Sequence, residues 1–242
     1  MVARPPEASA PASGPPPALA AWTRAHAPAM LAASAVSMWM HTTWPLAAAA
    51  PASFAFLLGR CRRDWTASVR ALAPNAVTAL RLFLVVGASV ALESAPGVVW
   101  TAAVVAVFAL DAVDGWLARR AETTSAFGAL FDMETDALFV LVLNFALWTR
   151  GTAGAWVFTA GLLRYAYVVV MTLVPPKGGE EPRSSFGRNA FGTLVVTLAA
   201  AFVLPPTAAQ AAAAIGTIAV TLSFARSFRW SYWRGARSAA AS

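Results

Sequence analysis

Charge is scarce in this chain. Of its 242 residues only 12% are Asp, Glu, Lys or Arg, while 59% are hydrophobic; an ordinary soluble domain carries about a quarter charged residues. The shortage argues against a solvated globule and for a chain that spends most of its length in lipid. Cysteine is nearly absent. The single Cys61, in "RCRRD", allows no intrachain disulfide and no thiolate metal site. The net charge of +7 could suggest nucleic acid, but the Lys and Arg residues fall in short segments between apolar runs, where they encode membrane orientation. No basic face interleaved with aromatics is present, so nucleic acid is not an expected partner.

What the chain has instead is a series of apolar runs approaching the roughly 20 residues that cross a bilayer. Residues 1–25, rich in Pro, Ala and Ser, are expected to be disordered. Residues 26–59 read as two extra N-terminal membrane helices joined near "HTTWP", with Pro45 and Pro51 as interruptions. A cleaved signal peptide ending at "AAAAPA" is the competing reading, but cleavage would place "RCRRD" against the charge pattern that follows. The stretch "CRRDWTASVRALAPNAV" is too polar to cross and predicts an interfacial helix.

Further spans are predicted at roughly 75–93, 97–118, 126–148, 153–174, 188–204 and 207–225. The fold class is thus an all-α polytopic membrane protein, six core helices over 60–226 plus the two short N-terminal ones, with a basic tail at 227–242. Arg62, Arg63, Arg119, Arg120, Lys177, Arg183 and the C-terminal arginines fall on one side, and Arg150 on the other. That asymmetry places both termini in the cytoplasm, with a bacterial inner (plasma) membrane as the expected location. Trp148, Trp230, Tyr232 and Trp233 read as interfacial anchors, and His26 and His41 are expected at the interface.

Against this background, "DAVDGWLARRAETTSAFGALFDMETD" is out of place. Asp111, Asp114, Gly115 and Ala118 share one helix face, and Gly128, Asp132 and Asp136 share one face of the next. A short loop makes the two helices antiparallel neighbours. Helical rise puts all four aspartates within about 12–17 Å of that loop, at similar depth. Each intramembrane Asp costs roughly 2.5–3.5 kcal/mol on insertion scales, and four on facing surfaces repel one another. One divalent cation, or a pair, resolves both difficulties. Oxygen ligands with no His or Cys nearby favour a hard cation, Mg²⁺ or Mn²⁺. Gly115, Ala118 and Gly128 leave the face without bulk, so a substrate can approach. The bland alternative is a set of surface carboxylates balanced by Arg119 and Arg120. Glu122 and Glu134 are expected to be solvated or interfacial.

The same residues carry a resemblance. Asp111, Asp114, Gly115, Ala118, Arg119, Gly128, Asp132 and Asp136 occupy every specified position of DxxDGxxAR, eight residues, GxxxDxxxD. This resembles the signature of the CDP-alcohol phosphatidyltransferases, and "PNAVTALRL" looks like the stretch that opens the family's first core helix. The resemblance covers about residues 62–225. It implies transfer of a phosphatidyl or similar group from a CDP-alcohol such as CDP-diacylglycerol to an acceptor alcohol, with release of CMP, in contact with membrane lipid; a homodimer is a common assembly.

It also implies roles. Asp111, Asp114 and Asp132 would be metal ligands, and Asp136 would complete the metal site and act as general base. Gly115, Ala118, Arg119 and Gly128 would shape the nucleotide pocket, and Asn75 and Thr78 would contact the nucleotide. Asn75, following Pro74, reads equally well as a helix N-cap. Arg81 and Arg164 lie inside predicted spans and need anions, and the acceptor's phosphate or the carboxylate cluster is a candidate for Arg164. Arg188 could bind an anionic acceptor or mark the cytoplasmic side. Relatives making phosphatidylglycerophosphate often carry Gly-Lys and then Lys-Thr here. The present chain has Arg188 at the first Lys and no Lys-Thr pair, so glycerol 3-phosphate, an inositol phosphate and other polyols stay open as acceptors. Two further readings remain, a divalent-cation transporter and a catalytically idle scaffold of the same fold.

Overall fold

The computed structural model describes residues 16–62, 69–91, 94–120, 125–176 and 185–234; the side chains of 69–74, 114, 117–119 and 233–234 fall outside the described residues. Among these residues the chain is helical throughout, with no strand. Eight α-helices follow in order: α1 (Pro17–Met40), α2 (Trp44–Arg60), α3 (Val69–Ala91), α4 (Gly97–Arg120), α5 (Ala126–Thr149), α6 (Phe158–Leu173), α7 (Ser185–Ala201) and α8 (Pro206–Arg229). A short 3₁₀ turn (Ala155–Val157) leads into α6, and a π turn (Trp230–Arg234) follows α8.

Local chemistry sets these boundaries. Pro17 stands in the first turn of α1, where its missing N–H costs nothing. At the other end His41 is left-handed (φ 51°), and its N–H donates to the Ser37 and Met38 carbonyls, which stops the helix before "TTWP". Ser125 caps α5, its hydroxyl accepting from the Gly128 N–H at 2.9 Å.

Two expectations change here. α1 begins at Pro17, inside the stretch expected to be disordered, because Leu19 and Trp22 are buried and the Trp22 indole donates to the Ser53 carbonyl of α2 at 2.9 Å. Pro51 lies within α2 and does not interrupt it. The expected interfacial helix lies partly outside the described residues. Its later part is the start of α3, which runs without a break through Pro74 and Asn75.

α5 is the axis of the bundle. It packs between α3 and α6 and touches α7, and every residue from Ala137 to Leu147 is buried. Around it lie the pairs α3–α4, α6–α8 and α7–α8, with α4 reaching α7. The outer surface is apolar, with Phe83, Val98, Val196, Leu173 and Ile218 all more than half exposed. So much exposed hydrocarbon is foreign to a water-soluble monomer. Ala155–Leu173 and Pro206–Tyr232 are long and apolar enough to cross a membrane, and Asn75–Ala91 of α3 and Gly97–Val113 of α4 are shorter apolar stretches.

α5 and α6 meet closely at Gly161. A Cβ there would lie 2.7 Å from Asn144 Nδ2 and 3.0 Å from the Leu141 Cα. Gly161→Ala is therefore expected to destabilise the fold by about 1–3 kcal/mol, read as a lower melting temperature in detergent. An unchanged melting temperature would show that this contact relaxes freely.

Candidate active site

Three helices bring their polar residues to one place. α3 supplies Asn75, Thr78 and Arg81, three residues apart and so on a single stripe. α4 supplies Asp111, and α5 supplies Asp132 and Asp136 one turn apart. Arg81 lies at the centre and is 1% exposed. Its Nη1 is 2.9 Å from Asp111 Oδ1 and 2.5 Å from Asp132 Oδ1, and its Nη2 donates to Asp136 Oδ1. The carboxylates are more open, their side chains 32%, 40% and 21% exposed for Asp111, Asp132 and Asp136. The arrangement is a cup with a guanidinium at its base and an acidic rim.

Asp111, Asp132 and Asp136 each offer a carboxylate oxygen, and these atoms lie within 4.8 Å of one another. A set made only of carboxylate oxygens at this spacing fits a hard divalent cation. The expected fourth ligand, Asp114, stands one turn beyond Asp111 on α4. Its side chain, like those of Ala118 and Arg119, lies outside the described residues.

Beside the cup, α3 and α5 pack closely. Gly128 is half-buried, and a Cβ there would stand 3.2 Å from Asn75 Oδ1 and 3.2 Å from Ser125 Oγ. Asn75 is 7% exposed, its Nδ2 buried without a hydrogen-bond partner, and Thr78 is buried one turn on. An unpartnered buried amide is costly unless something else accepts its hydrogens. The N-cap alternative for Asn75 fails, because it lies inside α3, past the first turn. Gly115 is half-buried on α4.

Three expectations are corrected. Arg164 does not face the acidic cup: its Nε and Nη2 donate to Glu134 Oε1 at 3.1 and 2.5 Å. Glu134 is not solvated but 1% exposed, because the α5 face opposite Asp132 and Asp136 is covered by neighbouring helices. His26 is not interfacial; it is 1% exposed and faces Glu134. His41, in contrast, lies exposed at the α1–α2 turn and stacks on Trp148. Arg188 stands exposed in the first turn of α7. The residue whose place sequence reading did not assign is Arg81, the cup's own cation. Its spacing of i, i+3, i+6 from Asn75 and Thr78 was the available signal.

The apolar helical bundle fits a membrane protein, and the half-open carboxylate cup built from three of its helices can hold a cation. The chain belongs to the CDP-alcohol phosphatidyltransferase family, whose model matches residues 71–225. No curated protein and no solved structure matches it. The family brings CDP-alcohol phosphotransferase activity and use of a divalent metal.

Proposed function

We propose that this chain is an integral membrane enzyme of phospholipid synthesis. It transfers a phosphatidyl or similar substituted phosphate group from CDP-diacylglycerol, or a related CDP-alcohol, to an acceptor alcohol and releases CMP. The observation that carries this reading is the carboxylate cup of Asp111, Asp132 and Asp136, inside the region matched by the family.

A lipid-tailed donor is supported by a cavity of about 250 Å³ on the same three helices, lined by Val85, Trp100, Val104, Val107, Phe139 and Val142 among other apolar residues. Val85 is one turn beyond Arg81, Val107 one turn before Asp111, and Phe139 about one turn beyond Asp136. An acyl chain could run from the cup into hydrocarbon along this path. The distribution of Arg and Lys favours a cup facing the cytoplasm of a bacterial inner membrane, with α3–α8 as the six-helix core. Arg150, at the opposite end of α5, donates to the Ala95 carbonyl at 2.6 Å.

The reaction makes a bond from the acceptor oxygen to the lipid-bearing phosphorus and breaks the bond from that phosphorus to the CMP oxygen. CMP leaves with the electron pair. The acceptor proton goes to Asp136, the least exposed of the three carboxylates. Mg²⁺ or Mn²⁺, as one ion or a pair held by Asp111, Asp114, Asp132 and Asp136, would supply charge neutralisation at the pyrophosphate and polarise the reacting oxygens. Arg81 keeps the carboxylates turned toward a common point. Asn75 and Thr78 hold the nucleotide, Gly115, Ala118 and Gly128 let it approach, and Arg119 closes the pocket. Arg188 is the candidate contact for an anionic acceptor.

Asn75→Ala is expected to raise the KM for the CDP donor about tenfold with kcat nearly unchanged, the effect of losing one hydrogen bond to bound nucleotide. A fall in kcat at unchanged KM would remove Asn75 from that role. The function itself is tested by CMP release and mass analysis of the lipid product, using purified protein, CDP-diacylglycerol, Mg²⁺ or Mn²⁺, and a panel of glycerol 3-phosphate, inositol phosphate and other polyols. One acceptor is expected to give a new phosphodiester lipid. No product from any acceptor, with CDP-alcohols also failing to bind, would defeat the reading.

A further inference from the structure

The family match begins at residue 71, so the α1–α2 hairpin lies outside it. Yet the hairpin touches α5 at three heights. Near the start of α5, Phe54 of α2 meets Phe131 with ring centroids 5.7 Å apart. Further along, His26 of α1 reaches Glu134, its Nε2 3.9 Å from Oε2. At the far end, His41 stacks on Trp148 at 4.8 Å. The hairpin is tied sideways as well: α1 packs along α6, and the Thr43 hydroxyl donates to the Ser89 carbonyl of α3 at 2.8 Å. It therefore bridges from α3 to α6 across the helix that carries Asp132 and Asp136.

The middle contact is the informative one. Glu134 lies between Asp132 and Asp136 in sequence, but residues two apart on a helix point roughly 200° apart. The charged face and the acidic cup are thus two sides of the same turns. Arg164 engages one oxygen of Glu134; the other, Oε2, has no hydrogen-bond partner, and neither does His26 Nε2, which faces it. The imidazole is held in place by Ser53, whose Oγ is 2.7 Å from Nδ1, and by Trp22 stacked at 4.3 Å. A buried ion pair is kept only where its remaining atoms meet polar groups. α1 brings the polar group that this pair faces.

We propose that the α1–α2 hairpin is a brace for the site-bearing helix. His26, fixed by Ser53 and Trp22, acts through Glu134 and Arg164 to set the rotation of α5 about its axis, and so the position of Asp132 and Asp136. The lever is short. With side-chain atoms about 5 Å from the helix axis, a rotation of about 10° moves a carboxylate by about 1 Å, whereas metal–ligand distances hold within about 0.2 Å. His26 is a positioning residue, and the inference rests on reading Asp132 and Asp136 as metal ligands.

Mn²⁺ binding to the full chain in detergent, followed by electron paramagnetic resonance, reads this without any need for turnover. His26→Ala is expected to weaken Mn²⁺ binding about five- to tenfold, by analogy with the loss of groups that orient metal ligands. His26→Gln, which keeps a polar group toward Glu134, should recover most of the affinity, and Asp132→Asn should lose far more. Should His26→Ala fail to fold, Ser53→Ala frees the ring while keeping it, and about a twofold loss is expected. Wild-type Mn²⁺ affinity in His26→Ala, or in Ser53→Ala where that variant stands in, would overturn the brace even if the melting temperature fell. Absence of Mn²⁺ binding in the wild-type protein would overturn the metal reading itself, a result distinguishable from the first.

Discussion

Asp136→Asn is expected to leave a folded protein that still binds a CDP-alcohol but releases CMP about 10²–10⁴-fold more slowly. That range is what a positioned general base contributes. The amide oxygen can still accept from Arg81 Nη2, as the carboxylate does, so the cup keeps its shape. It cannot take a proton from the acceptor hydroxyl. The metal dependence separates this role from ligation alone. If Asp136 only held metal, excess Mn²⁺ would restore the rate; if it carries the proton, the rate stays low at saturating Mn²⁺. Restoration by metal would move the base elsewhere.

Arg81→Ala is expected to be the most damaging change at the site for stability. Arg81 touches Asp111, Asp132 and Asp136 together, and its removal leaves three carboxylates facing one another. Breaking a buried ion pair costs about 3–5 kcal/mol. The rim is 21–40% exposed, and solvent screening brings the expectation to the lower end, about 3 kcal/mol. For a chain of this length that corresponds to a fall in melting temperature of about 6–12 °C in EDTA. Mn²⁺ binds only the folded cup and should raise the melting temperature of both proteins, but less in Arg81→Ala, whose carboxylates are no longer held toward a common point. Arg81→Lys keeps the charge but loses the planar fork that reaches three partners, and should fall between the two. A variant as stable as wild type in EDTA would mean that the acidic cup does not need its central cation.

Most of the helical frame could be read in the sequence, for a physical reason. Lipid demands long apolar runs, and helix ends are set by local devices such as Ser125 and the left-handed His41. The aspartate spacing likewise revealed the cup, because Asp132 and Asp136 one turn apart must share a face. What escaped were pairings between distant parts of the chain. Glu134 has the same local surroundings as a solvated acid; only α6 and α1, which bring Arg164 and His26, make it a core residue. Arg81 was legible as a buried cation in need of an anion. Its choice of the acidic cup, leaving Arg164 to Glu134, depended on which faces of α3 and α6 turn toward α5. The early start of α1 was hidden because a Pro- and Ala-rich composition says nothing of the Trp22–Ser53 contact that orders it.

The proposed role of the carboxylate cup is CMP-releasing transfer through a bound divalent cation. It is met most directly by stripping the purified protein with EDTA and following CMP release from CDP-diacylglycerol, with the acceptor present, as Mg²⁺ or Mn²⁺ is returned. The expected result is no release in EDTA, recovery that saturates with metal, and no recovery in Asp111→Asn over the same concentrations. Undiminished release without metal would contradict the claim. So would metal flux into sealed vesicles with no release of CMP, the behaviour of a transporter using the same acids.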